Sequence, residues 1–286
     1  MRKILLAGAT GYLGSYVLKE LLSRQLATRI IARHNIKLPE LPGETPAPEI
    51  LKAELTRPES LTGCCEHIDT VISTVGITRQ KDGLTYMDVD YQANMNLLNE
   101  AIAAGVRKFI YVSVLNGEHL KQLKICQAKE KFVAALINSG IDYCIIRPNG
   151  FFQDMREFSK MAGSGRVYLF GPGKYRANPI HGEDLAQICV HAISSEEKEI
   201  KAGGPQILTQ NDIAKLALDS VGKPVRITHL PDWIRKFILF TTRTFTSSKT
   251  YGPVEFFLTV LAMDMIAPEY GKHTLKEFFE TIAKNS

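Results

Sequence analysis

Three glycines close to the N-terminus constrain the fold of this 286-residue chain more than any other feature. Gly8, Gly11 and Gly14 lie in the stretch GATGYLG, between a short apolar run and an amphipathic one. The apolar run at residues 3–7 predicts a buried strand, and the leucines and valine that follow at helical spacing predict a helix. The glycines therefore form a tight turn that leads from a strand into a helix.

Strand-like and helix-like segments alternate through the first 150 residues. Strands are also predicted at 28–32, 70–73, 108–114 and 142–147 and in a short segment that ends near Glu54 and Leu55, and helices at 94–104 and 123–138. This alternation is typical of parallel strands joined by right-handed crossovers, with helices on both faces. The sequence therefore predicts an α/β fold with a doubly wound parallel sheet.

In this setting each of the three glycines has its own use. Gly8 permits the tight turn, Gly11 lets a pyrophosphate approach the backbone, and Gly14 lets the helix pack close to the sheet. The N-terminus of the helix adds a partial positive charge and N–H groups that the helix itself does not use. A flexible turn alone would explain the glycines but neither the strand before them nor the helix after them. We therefore expect a dinucleotide-binding loop.

Beyond Pro148 the alternation becomes irregular. Residues 161–173 are rich in glycine, 183–193 predict a helix, and the segment from about 200 onward mixes helical and loop patterns. We interpret residues 1–286 as a single domain with a nucleotide-binding core at about 1–150 plus a helix at about 183–195. The segments at about 151–180 and 200–286 are predicted to form a C-terminal substrate cap.

Motifs spread over two thirds of the chain give it a family resemblance. They are GATGYLG at 8–14, AELTRPESL at 53–61, STVG at 73–76, KFIYVSV at 108–114, AKEKF at 128–132, RPNGFF at 147–152 and PIHGEDLA at 179–186. With these motifs the chain resembles the short-chain dehydrogenase/reductase superfamily, and in particular its atypical NmrA-like, isoflavone-reductase-like branch. The resemblance implies a Rossmann-type fold with a bound NAD(P) cofactor, and it does not specify the substrate.

The glycine loop and the resemblance together assign the cofactor-binding residues. These are Gly8, Thr10, Gly11, Tyr12, Leu13, Gly14, Arg33, Lys37, Glu54, Leu55, Ser73, Val75, Gly76, Lys129, Pro148, Asn149 and Phe151. Glu54 and Leu55 stand where the family has an acidic residue and a leucine near the adenine, with Glu in place of the commoner Asp. Asn149 and Phe151 follow the sixth strand, where the family approaches the nicotinamide, and Phe151 is equally well explained as a core residue.

The residue after the second strand indicates which dinucleotide binds. NAD-preferring sites usually carry an acidic residue there, about twenty residues beyond the glycines, that accepts hydrogen bonds from the ribose hydroxyls. This chain has Arg33, with Lys37 one turn later. A guanidinium matches a 2′-phosphate with two hydrogen bonds. We therefore predict NADP(H), with the alternative that Arg33 is a solvated loop residue.

The helix after the fifth strand departs from the pattern of the typical short-chain reductases. These carry a YxxxK pair there and a serine just upstream; by resemblance the serine is Ser113 and the lysine is Lys129, but Ile125 replaces the tyrosine. Lys129 lies on the apolar stripe of its predicted helix, where an unpaired ammonium is costly to bury. NmrA-like reductases keep this lysine without the tyrosine. The resemblance therefore assigns Lys129 to the nicotinamide ribose, with a pKa lowered for acid–base work; the alternative is a core lysine whose ammonium reaches the surface.

These residues predict a catalytic function with one open alternative. We expect an NADPH-dependent reductase of a small, largely apolar carbonyl or conjugated-alkene substrate, in which Ser113 orients the acceptor and Lys129 assists the proton transfer. The absent tyrosine keeps a non-catalytic NADP(H)-binding redox sensor or complex-assembly factor as the alternative. A sugar-nucleotide epimerase normally needs the tyrosine that Ile125 replaces.

Charge and composition bear on partners and location. The net charge of +5 without a long Lys/Arg block suits an anionic small molecule and argues against nucleic acid. No metal-ligand spacing is present, and the five cysteines are expected to be reduced core thiols.

The first apolar run is too short for a secretion signal or a membrane span, which favours a cytoplasmic location. Residues 230–249 combine Trp and Phe with Arg and Lys, which predicts a lid over an apolar substrate pocket or, alternatively, a helix at a membrane surface.

Three polar residues outside these motifs give weaker signals. Asp184 is expected to cap or support the helix that begins beside it, and His181 is expected to be structural. Tyr175 is a further candidate for a proton donor, although nothing in the sequence fixes its direction.

Overall fold

Strands and helices alternate through the first half of the chain, as its periodicity predicts. The computed structural model describes residues 3–33, 47–78, 80 and 83–284. The strands are β1 (Ile4–Ala7), β2 (Thr28–Ala32), β3 (Glu49–Lys52), β4 (Thr70–Ser73), β5 (Lys108–Val112), β6 (Asp142–Pro148), β7 (Val167–Phe170), β8 (Arg176–Ala177), β9 (Glu199–Ala202), β10 (Leu208–Thr209) and β11 (Ile227–Leu230). The helices are α1 (Tyr12–Ser23), α2 (Asn94–Ala103), α3 (Lys124–Ile137), α4 (Arg156–Gly163), α5 (Gly182–His191), α6 (Gln210–Ser220), α7 (Asp232–Phe245), α8 (Ser248–Val260) and α9 (Leu275–Lys284). A π-helical segment, Met87–Ala93, precedes α2, and 3₁₀ turns span Pro58–Leu61, Gly117–His119 and Phe152–Met155.

Among the described residues, seven strands form one sheet in the order β3-β2-β1-β4-β5-β6-β9. The pairs from β3 to β6 run parallel; in β1, for example, Leu6 lies opposite Ile30 on one side and Ile72 on the other. Every residue of β1, β2, β4 and β5 is buried, as expected for a parallel sheet covered by helices on both faces. The predicted Rossmann-type α/β fold is confirmed. The strand order reverses between β1 and β4, which is where such sheets bind nucleotides.

The contacts divide the chain into two compact units. The first comprises Met1–Arg147 and Leu185–Ile200, and the second Pro148–Asp184 and Lys201–Ser286. The core of the first unit includes Phe109 and Phe132, which pack between the sheet and α3. The second unit has its own core of α4, α6, α9 and β7 side chains. The assignment of these segments to one domain with a substrate cap stays a prediction.

The third strand ends earlier than predicted. β3 stops at Lys52 because the chain then turns away from the sheet: the Glu54 amide donates to Ser60 Oγ at 2.9 Å, and the Arg57 amide donates to the Glu54 carbonyl at 2.9 Å. Glu54 and Leu55 therefore lie in a turn beyond the strand. The five cysteines are free and buried, as expected of core thiols.

No helix in the described part of the chain combines the length and the apolar character needed to cross a membrane.

Candidate functional site

The glycine loop joins β1 to α1, and two of its glycines are required by the backbone. Gly8 has φ +87°, a left-handed conformation that side chains disfavour, and a Cβ there would lie 2.5 Å from Thr74 Oγ1. A Cβ on Gly14 would overlap the carbonyl oxygen of Gly8. The Gly11 amide donates to that same carbonyl at 2.9 Å, which closes the turn. The uses predicted for Gly8 and Gly14 follow from this geometry.

Gly11 is different, because neither its backbone conformation nor its surroundings require a glycine. Its φ of −78° and ψ of 170° suit any residue, and the nearest atom to an added Cβ is Gly8 O at 3.3 Å. Gly11 is exposed at the N-cap of α1, where no side chain caps the helix. The bare backbone therefore leaves space in front of a helix N-terminus, and this shape and polarity fit a dinucleotide pyrophosphate. Thr10 is exposed beside it, Tyr12 is half-buried, and Leu13 is a core residue that offers only its backbone.

An open pocket of about 290 Å³ lies beyond β2 and β3 in the first unit. Three of its six lining residues are basic and one is acidic; the lining comprises Arg33, Lys52, Ala53, Glu54, Arg57 and Ser60. Arg33 is exposed and has no ion-pair partner among the described residues. The Glu54 carboxylate is 3.2 Å from the Arg57 guanidinium, so its charge is partly balanced. Lys37 lies outside the described residues.

The last residue of β4 and the residues after it border the glycine loop. Ser73 is buried, and its hydroxyl donates to Asn94 Oδ1 at 2.5 Å. The Asn94 amide donates in turn to the Val75 carbonyl at 3.3 Å. Ser73 and Val75 are therefore held internally, whereas Gly76 is exposed. The Leu55 carbonyl accepts a hydrogen bond from Asn96 Nδ2 at 2.9 Å on the neighbouring part of α2.

Lys129 and Asp90 form a buried ion pair directly beneath Gly76. Lys129 Nζ lies 2.8 Å from Asp90 Oδ1, with angles outside those of a hydrogen bond, and Asp90 Oδ2 accepts from the Ile77 amide at 3.2 Å. Asp90 is fully buried and the Lys129 side chain is 11% exposed. A Cβ on Gly76 would come within 2.6 Å of Asp90 Oδ1 and 2.7 Å of Lys129 Nζ. The glycine is what keeps the surface open above the pair.

The expected low pKa of Lys129 is wrong. Burial by itself lowers the pKa of this ammonium, but the negative charge of Asp90 and the neighbouring Tyr111 more than compensate and raise it above its usual value. Burial raises the pKa of the Asp90 carboxyl, and the Lys129 ammonium opposes that rise. The 2.8 Å separation of Lys129 Nζ and Asp90 Oδ1 favours the charged forms of both groups, and we treat the pair as ammonium and carboxylate. Lys129 is a fixed positive charge and does not give up its proton readily.

A phenol does lie near Lys129, although Ile125 replaces the expected tyrosine. The Tyr111 ring centroid, contributed by β5, is 5.5 Å from Lys129 Nζ, and the ring packs against Phe132 at 4.6 Å. Tyr111 is fully buried, and burial raises the pKa of its hydroxyl above the usual range. Its phenol therefore lies beneath Lys129, enclosed by the core. Ile125 itself is 6% exposed and faces the core.

Ser113 belongs to a second buried cluster. Its hydroxyl donates to Glu130 Oε1 at 3.1 Å, and Glu130 forms a two-pronged ion pair with Arg147 at 2.6 and 3.0 Å. Arg147 also contacts Glu199 at 2.7 Å and Glu118 at 3.3 Å. No hydrogen bond joins Ser113 to Lys129 among the described residues. The catalytic role of Ser113 stays a prediction.

The three predicted cofactor residues after Arg147 lie in the second unit. Pro148 is buried at the end of β6. Asn149 Nδ2 donates to Asn178 Oδ1 at 2.8 Å and to the Met265 carbonyl at 2.6 Å, and its Oδ1 accepts from Gly150. Phe151 is half-buried, and its amide donates to Asp154. The Asn149 amide is thus committed to hydrogen bonds within this unit, and the cofactor roles of all three residues stay predictions.

Asp184 anchors the C-terminal segment of the second unit. Its carboxylate accepts from the amides of Lys272 and His273 and lies 2.8 Å from His273 Nδ1. His181 stacks on His273 at 4.3 Å and packs against Phe152 at 5.5 Å, and burial and the charge of His273 lower its pKa. Tyr175 is 40% exposed.

His181, Glu183 and His273 are close together and are all of a type that can bind a metal ion. The ligand atoms of His181, Glu183 and His273 lie within 4.8 Å of one another. Two ligands of one zinc ion can be at most about 4.2 Å apart, since each lies about 2.1 Å from the metal. Glu183 Oε2 and His273 Nε2 are 3.7 Å apart, within that limit.

Asp90 is the site residue that the sequence analysis missed. The signal was present: Asp90 and Asn94 stand four residues apart and continue into the apolar stripe of α2 at Leu97 and Ala101, all buried. A carboxylate on an apolar stripe needs a buried cation, as Lys129 needs a buried anion. Asp90 also lies in a π-helical segment, and such segments are frequent at functional sites.

Comparison with known proteins agrees with this geometry. The chain is 27% identical to divinyl chlorophyllide a 8-vinyl-reductase of Cucumis sativus, over 98% of this chain and 75% of that protein. It is 26% identical to photosystem II assembly factor Ycf39 of Synechocystis sp., over 85% of this chain and 75% of that protein. The NADPH complex of the quinone oxidoreductase QOR2 from Escherichia coli shares the fold, with a TM-score of 0.70 and 17% identity over 98% of this chain and 99% of that chain. The family model described as NAD(P)H-binding matches residues 8–196. This match spans the glycine loop, the basic pocket and the Lys129–Asp90 pair, and the chain therefore belongs to the NAD(P)H-binding family.

Proposed function

We propose that this protein is an NADPH-dependent reductase of a largely apolar conjugated alkene or carbonyl compound. The observation that carries the proposal is the Lys129–Asp90 pair, a buried cation held beneath the exposed Gly76 at the nucleotide-binding edge of the sheet. Two known proteins support the substrate class. One relative is named as a vinyl-reductase, and one protein of the same fold is named as a quinone oxidoreductase. Both names describe reduction of conjugated molecules.

NADPH would be held along the carboxyl ends of β1, β2 and β4. Gly8, Gly11 and the first turn of α1 would bind the pyrophosphate, and the pocket with Arg33 would bind the adenosine end. Arg33, Lys52 and Arg57 are three cations against the single carboxylate of Glu54, which favours a 2′-phosphate over a 2′-hydroxyl. When bound, the cofactor supplies a hydride from its nicotinamide ring.

Lys129 acts as a fixed cation in this proposal. Asp90 holds its ammonium in place and keeps it protonated. An ammonium at that position can donate hydrogen bonds to ribose hydroxyls and stabilise negative charge that develops on a substrate after hydride arrives. Its raised pKa makes it a poor proton donor, so the proton reaches the substrate from another group or from water.

A non-catalytic NADP(H)-binding protein that assists complex assembly is the second candidate. Ile125 occupies the position of the usual proton donor with a buried aliphatic side chain. One relative carries the name of an assembly factor. This candidate shares the cofactor site and lacks turnover, so the two functions are separated by a turnover assay.

Calorimetric titration tests the cofactor choice. We expect wild-type protein to bind NADPH more tightly than NADH, and Arg33→Ala to weaken NADPH binding by about tenfold or more while NADH binding changes little. Arg24→Ala is the matched control, since Arg24 is exposed in the same unit at the far end of α1. Equal affinities of the wild type for the two cofactors would contradict the assignment.

A turnover assay tests the reductase proposal. NADPH oxidation is followed with a panel of quinones and conjugated vinyl compounds. Lys129→Met keeps the packing of the side chain and deletes its charge, and we expect it to lower turnover by about 10²-fold or more. Lys124→Met, an exposed lysine on the same helix, is the control and should leave the rate unchanged. Turnover by Lys129→Met at the wild-type rate would remove Lys129 from the mechanism.

A further inference from the structure

Helix α7 carries three exposed aromatic side chains on one face. Trp233, Phe237 and Phe240 are 64%, 58% and 65% exposed, and their spacing of four and three residues sets them in one stripe, the aromatic stripe. Phe245 at the end of the helix is 78% exposed. No residue of α7 is buried. The segment predicted as a lid over an apolar pocket therefore presents its aromatic side to solvent, and a contiguous patch of this kind marks an interaction surface.

Basic side chains border one side of the aromatic stripe. Lys236 and Arg243 both lie about 60–90° around the helix from the centre of the stripe in the same direction, and their side chains are 71% and 74% exposed. Their ion pairs are loose, at 3.4 Å to Asp232 and 3.9 Å to Glu255. Residues 231–250 contain four basic residues and one acidic residue, a net charge of +3. A negatively charged surface is the complement of this helix.

The size of the aromatic stripe decides between a protein and a lipid surface. Three aromatic side chains of about 200 Å² each, about 60% exposed, offer about 400 Å². A standard protein interface buries about 800 Å² on each partner. A helix at a bilayer needs only a narrow apolar face with Trp and Phe, bordered by Lys and Arg. The aromatic stripe has the composition and the width of the second case.

We propose that α7 lies in the headgroup region of an anionic lipid bilayer, with Trp233, Phe237 and Phe240 inserted and Lys236 and Arg243 on lipid phosphates. Aromatic rings favour this depth because the apolar ring and the polar N–H of tryptophan are both accommodated there. Anionic lipids attract each nearby Lys or Arg, and salt weakens that attraction. This proposal stands independently of the reductase function, since it uses no residue of the cofactor site.

The single tryptophan of the chain, Trp233, reports on the proposal directly. Full-length protein is titrated with vesicles of phosphatidylcholine, with or without phosphatidylglycerol, and its fluorescence and co-sedimentation are recorded. We expect a blue shift and co-sedimentation with the phosphatidylglycerol vesicles, quenching by brominated acyl chains, and loss of binding at high salt. Absence of a shift and of co-sedimentation would overturn the proposal. A blue shift that depends on protein concentration without vesicles would also overturn it, because a second copy would then cover the aromatic stripe.

Variants separate the aromatic and electrostatic contributions. Phe237→Ser combined with Phe240→Ser should lower vesicle partitioning by about tenfold or more, with Trp233 kept as the reporter. Lys236→Gln and Arg243→Gln should each lower it by about fivefold on anionic vesicles. Tyr168→Ser is the matched control, since Tyr168 on β7 is 50% exposed and lies on another element. Unchanged partitioning of the double Phe variant, with an unchanged melting temperature, would contradict the proposal.

Discussion

Replacing Asp90 by asparagine removes the charge that partners Lys129. Asparagine keeps the size of the side chain, and its Oδ1 can still accept the hydrogen bond from the Ile77 amide. That orientation places the asparagine Nδ2, a hydrogen-bond donor, toward the Lys129 ammonium. Lys129 Nζ would then have no anion at 2.8 Å, while Gly76 and the core around it would keep it 11% exposed. Asp90→Asn therefore removes the attraction of the pair and leaves two donors opposed.

The size of the effect follows from the geometry of the pair. At an effective dielectric constant of about 20, two unit charges 2.8 Å apart attract by about 6 kcal/mol. Desolvation of both groups offsets part of that attraction, and removal of one partner of a buried pair costs about 3–5 kcal/mol. We expect Asp90→Asn to lower the free energy of unfolding by about 3 kcal/mol at pH 7, and Lys129→Met to lower it by a similar amount.

A double-mutant cycle in urea, followed by circular dichroism, measures this coupling. Asp90→Asn with Lys129→Met replaces the ion pair by two neutral side chains. The double variant should lose about 2–3 kcal/mol less than the sum of the two single losses, because neither buried charge is then left alone. Losses that simply add would refute the reasoning, since the two residues would then act independently.

The remaining predictions concern pH and the glycine loop. Folding raises the pKa of Lys129 above 10.5, so the stabilisation from its protonated form is present in full below pH 10.5 and is lost as the pH rises above that value. In urea titrations, the difference in free energy of unfolding between wild type and Lys129→Met should therefore shrink by about 1.4 kcal/mol per pH unit above pH 10.5. Burial lowers the pKa of His181, so wild-type stability should fall as pH drops below about 6.5, and His181→Gln should flatten that fall in thermal melts. Gly11→Ala should keep wild-type stability within about 1 kcal/mol and lose NADPH binding by calorimetry. Gly14→Ala should lose about 3 kcal/mol or more in urea, because its Cβ overlaps the Gly8 carbonyl.

Local patterns in the sequence predicted the strands and helices of the first 150 residues, the helix at 183–193 and the glycine loop. The tight turn between β1 and α1 gives Gly8 a positive φ, and it brings the Gly8 carbonyl so close to Gly14 that a Cβ there has no room. Both features arise within seven residues of sequence, where a local pattern can reveal them. The position of Lys129 on an apolar stripe likewise predicted its burial, and the structure confirms it. The burial of Lys129 follows from helix periodicity, which can be read directly from the sequence.

Local patterns did not predict which side chains form ion pairs and hydrogen bonds across long sequence separations. Asp90 stands 39 residues before Lys129, in a π-helical segment that periodicity does not identify, and its charge reverses the expected pKa shift. Ser113 has the position of a catalytic serine, but its hydroxyl donates to Glu130, which is itself paired with Arg147. In both cases the tertiary fold decides which charged groups meet.

The most direct test of the central claim is the transfer of an isotope label from the cofactor to a product. NADPH that carries deuterium at the reactive C4 position of its nicotinamide is incubated with the protein and the panel of quinones and conjugated vinyl compounds, and the products are weighed by mass spectrometry. For a conjugated vinyl substrate, the reductase account predicts deuterium retained on carbon in the reduced product, much less product with Lys129→Met, and a normal yield with Lys124→Met. For a quinone, whose hydroquinone exchanges any transferred deuterium with water, the corresponding signature is reduced product formed in step with NADPH oxidation. Protein that binds NADPH tightly yet forms no reduced product from any member of the panel would contradict the account and leave the assembly function in its place.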